Sequence, residues 1–308
     1  MTAKRILALW EKFWFTPGSP APICLFRIFY GVLILACGLI WLSDLLTFFG
    51  PDGLVSISAV RQWHPEDRFS LLFLLPANNA SVIGLFIVLM LAALCVTVGL
   101  FTRLSLIILF ICLISFHHRN WAIMNSGDTI LRIQGFILIF SPAASMFSLD
   151  YLRQKRKSVA INQWEFQTSI WTQRLLQLQI AAVYCQAFWS KIVSESWWNG
   201  TAVYYVSRLE DYRHFPVPFL FDNPFVCKLL TWGTLVIELS LWTLIWFKKL
   251  RYFVLIAGVL MHLGIDWALN IPLFSYAMIA MYVNFVPPQY LKRILSLQST
   301  LARTNNGS

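Results

Sequence analysis

Ionisable side chains lie at the ends of apolar runs in this chain. One run ends in His117 and His118, and the next begins with Asp128 and, four residues later, Arg132. Imidazole and carboxyl groups can exchange protons with a substrate, and ionisable groups inside long apolar segments are costly, so they mark function by default. These four residues are therefore candidates for acid–base chemistry or its support. The structural alternative is that Asp128 is the N-cap of a helix and pairs with Arg132 on the same face.

A second polar group lies in the apolar segment that ends at Lys191. Gln177, Tyr184 and Lys191 recur every seven residues, so they share one face of a helix, and such a stripe faces protein or water rather than lipid. The turn that follows contains Trp197 and Asn199 and is dense enough in aromatic and polar groups to wall a pocket. The structural alternative is a lysine whose stem follows the apolar surface and whose ammonium reaches the membrane interface.

Three more ionisable residues lie in apolar segments nearer the C-terminus. His262 and Asp266 are four residues apart, and a carboxylate beside an imidazole raises its basicity and fixes its orientation. A hydrogen bond between helices is the structural alternative for this pair. Glu238 lies near the middle of another segment, where it is either partnered, with Arg27 as one candidate, or protonated.

The composition shows which kind of fold must position these residues. Of the 308 residues, 58% are hydrophobic and only 12% are charged, against roughly 25% charged in a typical globular domain. The mean hydropathy is +0.65. A soluble protein could not cover its surface with so few charges, and disordered and disulfide-rich secreted classes are excluded on the same grounds. The sequence therefore predicts an all-α, polytopic bundle of transmembrane helices.

About eight segments are candidates for membrane spans, since a span needs about 20 mostly apolar residues. The third and eighth are short and are either re-entrant or packed inside the bundle, so seven spans are also possible. No linker divides the chain, which predicts a single domain over residues 1–308. The predicted segments are roughly 22–44, 80–100, 103–118, 129–149, 172–193, 229–247, 250–269 and 272–287.

The basic residues predict the orientation. With both termini cytoplasmic, the inner segments hold fourteen Lys and Arg residues, and the outer segments hold six: five in the long loops at about 45–79 and 194–228, and Arg119 in a short loop. This bias follows the positive-inside rule, and it explains most of the net charge of +10 without a nucleic-acid partner. The predicted location is an integral, multi-pass position in a bacterial inner membrane. The six cysteines form no CxxC pair or zinc spacing, so no metal site is predicted.

On this topology the charged candidates from four spans fall in the outer half of the bilayer. A transporter is expected to place such groups near the midplane, often in broken helices. A cluster at one interface instead favours a site that receives a lipid-soluble molecule laterally or an exported polypeptide from outside. The residues concerned are His117, His118, Asp128, Arg132, Lys191, His262 and Asp266.

Several of these segments resemble the motifs of the HTTM (horizontally transferred transmembrane) family. The resemblance covers roughly residues 20–290. The similar segments are His117–Trp121 with Asn125–Arg132, Tyr184–Lys191 followed by Trp197–Tyr204, and Glu238 with His262–Ile265.

The HTTM family includes the membrane part of vitamin K-dependent gamma-carboxylase, which oxidises a hydroquinone to its epoxide. The resemblance implies that Lys191 is a general base and that His117, His118 or His262 positions a quinol hydroxyl. It implies a quinol-like membrane lipid as cosubstrate, with a carboxylase, lyase or oxidoreductase activity. Other bacterial members act in maturing an exported peptide, so an accessory role with an exported protein or peptide client is the alternative.

Overall fold

The computed structural model describes residues 3–63, 68–156, 164–214 and 219–293, and these residues form helices almost throughout. The prediction of an all-α fold is confirmed, apart from two two-residue strands, β1 (Pro17–Gly18) and β2 (Thr168–Ser169), which pair antiparallel. The helices are α1 (Ala3–Phe15), α2 (Ala21–Leu42), α3 (Leu45–Phe49), α4 (Ile57–Trp63), α5 (Leu71–Leu74), α6 (Asn79–Val98), α7 (Thr102–Arg119), α8 (Ser126–Ile139), α9 (Leu149–Lys155), α10 (Trp171–Ile192), α11 (Glu195–Trp198), α12 (Ala202–Val206), α13 (Pro224–Thr243), α14 (Arg251–Ala268) and α15 (Phe274–Met281). Three 3-10 helices lie at Phe219–Asp222, Leu244–Trp246 and Tyr282–Phe285.

Five helices among the described residues are long and apolar enough to cross a membrane, judged by length and composition. They are α2, α6, α7, α13 with the 3-10 helix that follows it, and α14. Helix α7, expected to be short, has 18 residues and is therefore about 27 Å long. The chain is thus a multi-pass membrane protein by its helices, whereas the count of eight spans and the orientation stay predictions.

The fourth predicted span differs from the structure. It was expected over 129–149, but α8 ends at Ile139. Pro142 explains this early end, because a proline disfavours helical conformation at the residue before it and lacks the N–H that a helix needs. With 14 residues, α8 is about 21 Å long, shorter than the roughly 30 Å hydrocarbon core.

The chain divides into two compact units. Unit 1 comprises Met1–Leu175 with Val283–Ser308, and unit 2 comprises Leu176–Tyr282. In unit 1, α6 packs against α2 and α7, and α7 packs against α8. In unit 2, α13 packs against α12 and α14, and α14 packs against α15. Each unit buries its own set of polar residues.

The start of α7 in unit 1 is held by Asp150, which lies in the first turn of α9. Its carboxylate accepts hydrogen bonds from the backbone N–H of Phe101 (2.9 Å) and of Thr102 (2.8 Å), and from Thr102 Oγ1 (2.8 Å). A carboxylate at a helix N-terminus satisfies N–H groups that have no partner inside the helix and interacts favourably with the helix dipole. This contact fixes α7 at the end opposite to His117 and His118.

The turn after α11 in unit 2 is fixed against α13 by Thr231. The Thr231 hydroxyl donates to Gly200 O (3.3 Å) and accepts from Val203 N (3.2 Å). Gly200 has a φ of +78°, a left-handed conformation that glycine adopts without strain. A Cβ at this position would also crowd Lys228. The turn therefore holds α11, and with it Trp197, in a defined place.

Candidate functional site

Unit 1 contains a polar pocket of about 390 Å³. It lies between the end of α7 and the start of α8, and Arg68 also contributes to its wall. Four of the candidates from sequence line it together: His117, His118, Asp128 and Arg132. Arg68 was not among the predicted site residues, because it lies in a loop far from the motifs and no local pattern sets it apart.

The start of α8 forms a capping box, and this corrects the predicted role of Asp128. The N-cap is Asn125 rather than Asp128, which is the third residue of the helix. Asn125 Oδ1 accepts from Gly127 N (2.7 Å), and Asp128 Oδ2 accepts from Asn125 N (2.7 Å). Reciprocal bonds of this kind satisfy N–H groups at the helix start that would otherwise lack partners. Asp128 therefore helps to cap the helix, as expected, but as the third helical residue rather than as the N-cap.

Arg132 is held by an imidazole rather than by the predicted carboxylate. Its Nη1 lies 3.4 Å from His118 Nε2. His118 Nδ1 lies 2.7 Å from the carbonyl oxygen of Phe69, so Nδ1–H is the donor and Nε2 is free to accept in the neutral ring. The ion pairs between described residues do not include Arg132. The expected pair between Asp128 and Arg132 is therefore replaced by a contact with a neutral group.

His117 lies deeper in the same pocket and is only 3% exposed. Its ring packs edge-on against Trp41, with ring centroids 6.0 Å apart. Among the described residues its Nε2 has no hydrogen-bond partner. A buried polar atom without a partner is costly, so the pocket wall presents an unsatisfied imidazole nitrogen.

Unit 2 contains a larger cavity of about 770 Å³. Its wall is mostly apolar and comes from α10, α12, α13, α14 and α15, with α11 contributing Trp197. Small-molecule sites are typically about 300–1,000 Å³, apolar, with a few convergent polar groups. The polar groups at this wall include four of the candidates from sequence, namely Tyr184, Lys191, Glu238 and His262.

Lys191 and Glu238 form an ion pair at the wall of this cavity. Lys191 Nζ lies 2.7 Å from Glu238 Oε1, and the side chains are 25% and 7% exposed. The ammonium also lies 5.3 Å from the centre of the Trp197 ring, within the range of a cation–π contact. Glu238 is therefore partnered by Lys191 and not by the other candidate, Arg27, whose Nη2 donates to Phe147 O (2.6 Å).

A second cluster of polar side chains at the wall is centred on the hydroxyl of Tyr184, which links three helical segments. Tyr184 Oη lies 2.7 Å from His262 Nε2 and 2.5 Å from Tyr282 Oη. The predicted pair of His262 with Asp266 is wrong, because Asp266 Oδ2 accepts instead from Tyr276 Oη at 2.7 Å. Among the described residues His262 Nδ1 has no hydrogen-bond partner.

Three predicted support residues have distinct places in unit 2. Trp197 lines the cavity, as the dense aromatic turn indicated. Gln177 is buried but is not part of the cavity wall, and Asn199 accepts from Thr201 N and Oγ1 in an exposed turn. Tyr282 was missed, because a single tyrosine near the end of an apolar segment carries no signal without its partner.

The sequence of this chain matches the HTTM domain model over residues 15–290. The match covers most of the chain and includes the residues that line both pockets. The chain belongs to the HTTM family.

One relative of this chain is the Bacillus subtilis (strain 168) protein called "Uncharacterized protein YitO". It is 24% identical over 283 residues, which cover 85% of this chain and 89% of the relative. No solved structure matches the chain. The charged candidates belong to two separate units, and their convergence in a single outer cluster stays a prediction.

Proposed function

We propose that this HTTM protein is a membrane-embedded enzyme whose acid–base site is the cavity of unit 2. The observation that carries the proposal is the Lys191–Glu238 ion pair at the wall of a large apolar cavity. Removing two charges from water is expensive, and a buried ion pair often stabilises a fold no better than apolar residues of the same size. A pair retained at such a cost in a cavity of ligand size favours a functional role.

The expected ligand is a quinol-like membrane lipid. The apolar wall suits the ring and tail of such a molecule, and its hydroxyl needs a polar partner. Glu238 Oε2 is buried and has no hydrogen-bond partner among the described residues, so it is available to accept from that hydroxyl. The resemblance to the membrane part of vitamin K-dependent gamma-carboxylase supports the same class of ligand.

The state of the ion pair decides which group acts as base. While Lys191 is protonated and Glu238 is ionised, the group able to take the hydroxyl proton is Glu238. Lys191 becomes the base only after it has passed its own proton to Glu238. Both routes require the carboxyl group, so Glu238 is as necessary as the lysine that the family resemblance singles out. Tyr184 and His262 border the same cavity and can orient the ring.

The orientation in the membrane belongs to the same proposal. The excess of basic residues in the predicted inner segments supports cytoplasmic termini, with the end of α10 near the outer face. The proposed location is a bacterial inner membrane, with the cavity open to lipids of the outer leaflet.

The direct test is mass spectrometry of lipids that co-purify with the protein in mild detergent. We expect a quinone in near-stoichiometric amount in the native protein and its loss in Glu238→Gln, which keeps the side-chain shape but cannot be ionised. Lys249→Ala, which removes an exposed lysine outside the cavity, is the matched control and should retain the lipid. Absence of a quinone from the native protein would contradict the proposal.

The second candidate function is an accessory role in maturing an exported protein or peptide. The segment 194–214 favours it, because several of its aromatic side chains are exposed: Trp198 by 63%, Tyr205 by 60% and Tyr212 by 50%. The discriminating experiment compares client proteins by mass spectrometry with and without this protein. A covalent change that depends on Glu238 supports the enzyme, whereas client binding without any covalent change supports the accessory role.

A further inference from the structure

The polar pocket of unit 1 carries positive charge that no carboxylate of the described residues neutralises through an ion pair. Arg68 and Arg132 both line it. The ion pairs formed between described residues involve other arginines and lysines. Arg132 is positioned by the neutral ring of His118, whose tautomer is set by its bond to Phe69 O. The guanidinium is thus held in place while keeping its full charge.

Among the described residues that line the pocket, Asp128 contributes the one carboxylate, and it already has a hydrogen-bond partner. Asp128 Oδ2 accepts from Asn125 N in the capping box. The single negative charge of Asp128 offsets at most one of the two guanidinium charges, and it also interacts with the positive end of the α8 dipole. The described residues that line the pocket therefore carry a net positive charge.

His117, at the deep wall of the pocket, is a second and independent observation that points to a ligand. His117 is 97% buried by its 3% exposure, and its Nε2 has no partner among the described residues. As an N–H donor this atom complements two guanidinium groups, which also only donate. The unpartnered His117 nitrogen and the two guanidinium groups come from three places in the chain, and together they fit an oxygen-rich anion.

We infer that this pocket binds a phosphate group through Arg132, Arg68 and His117. A phosphate has three or more acceptor oxygens, and arginine binds such groups with two parallel hydrogen bonds. A carboxylate has only two oxygens and would leave donors unsatisfied. The source is either a phospholipid head group or a small soluble phosphate, and the experiment separates the two.

The first arm measures thermal unfolding in detergent as inorganic phosphate is titrated against chloride at matched ionic strength. We expect phosphate to raise the melting temperature of the native protein. Arg132→Gln should raise the half-saturating phosphate concentration by about tenfold or more, because a hydrogen bond to a charged group is lost. Arg103→Gln removes an equal charge from the exposed first turn of α7, and it should stay within about twofold of the native protein because exposed charges contribute little.

The second arm measures phospholipid retained by the purified protein, using native mass spectrometry. One phospholipid per protein that is lost in Arg132→Gln and displaced by inorganic phosphate identifies a head group as the source. A melting shift with phosphate but no retained phospholipid identifies a small soluble phosphate. Arg68→Gln lies on a different segment and gives a second variant should Arg132→Gln fail to fold. The inference is overturned if the native protein shows neither response, or if both variants respond as the native protein does.

Discussion

The ionisable residues of the two units have different kinds of partner. In unit 2 the Lys191 ammonium lies 2.7 Å from the Glu238 carboxylate at the wall of an apolar cavity. The two groups can therefore exchange a proton directly. In unit 1 Arg132 lies 3.4 Å from the neutral His118, and the nearby Asp128 is used to cap α8. A paired site can move a proton, whereas an unpaired cation can only bind an anion.

The cavities of the two units also differ in volume and in the polarity of their walls. The cavity of unit 2 is about 770 Å³ and mostly apolar, and that of unit 1 is about 390 Å³ and lined mostly by polar and charged residues. An apolar wall excludes water and strengthens electrostatic interactions inside, which suits proton transfer from a hydroxyl group on a lipid-soluble ring. A small polar pocket suits a charged group. Motif residues of one family therefore line two different kinds of pocket in this molecule.

The largest expected effect comes from breaking the ion pair of unit 2. Lys191→Ala leaves Glu238 buried without a cation, so the free energy of unfolding should fall by about 2–3 kcal/mol, slightly less than for a fully buried pair because Lys191 is partly exposed. Denaturant titration in detergent measures it. Asp222→Asn breaks the more exposed pair with Arg208 and is the matched control, with an expected loss of about 0.5 kcal/mol. Equal losses in the two variants would show that burial does not distinguish these pairs.

Removal of the Tyr184 hydroxyl is expected to cause the next largest loss of stability. Tyr184→Phe removes the group that contacts both His262 and Tyr282, and it leaves two buried polar groups unsatisfied. The expected loss of stability is about 2 kcal/mol. Tyr205→Phe, at an exposed position, is the control and should change stability by less than about 0.5 kcal/mol. A tolerated Tyr184→Phe would mean that this network does not organise the cavity wall.

The capping box of unit 1 has a smaller expected effect. Asn125→Ala removes the side-chain acceptor at the start of α8, and the expected cost is about 1 kcal/mol. Asn125→Asp keeps an acceptor at the N-cap and should restore most of the stability. Thermal unfolding of the two variants checks this. No difference between alanine and aspartate would show that the side chain at position 125 does not stabilise the start of α8.

The smallest effect concerns Asp150, which holds the start of α7. Burial raises the pKa of Asp150, but hydrogen bonds from Thr102 and Phe101 outweigh it, so the pKa lies below its ordinary value. A lowered pKa in the folded state means that Asp150 stabilises the fold above its unfolded pKa of about 3.9 and loses this contribution as the pH falls through the folded value. As the pH is lowered from 6 to 3, the melting temperature should therefore fall less steeply in Asp150→Asn than in the native protein. Parallel curves for both proteins would contradict this role.

Helical periodicity predicted part of the site, and tertiary packing determined the rest. The seven-residue spacing of Tyr184 and Lys191 places both on one helix face, and both line the cavity. The contact of Lys191 with Glu238 joins residues 47 positions apart, which no local pattern encodes. The four-residue spacing of His262 and Asp266 was equally regular, yet Asp266 bonds a residue of α15 instead, because spacing permits a pair without excluding a better partner.

The central claim is that Glu238 recognises the hydroxyl of a quinol in the cavity of unit 2. The most direct measurement compares the affinities of a short-chain quinol and of its dimethyl ether for the native protein and for Glu238→Gln. The account predicts that the native protein and Lys249→Ala prefer the quinol by about tenfold, as expected for a hydrogen bond to a charged group, and that Glu238→Gln loses this preference. Equal affinities of the native protein for both ligands, or an undiminished preference in Glu238→Gln, would contradict it.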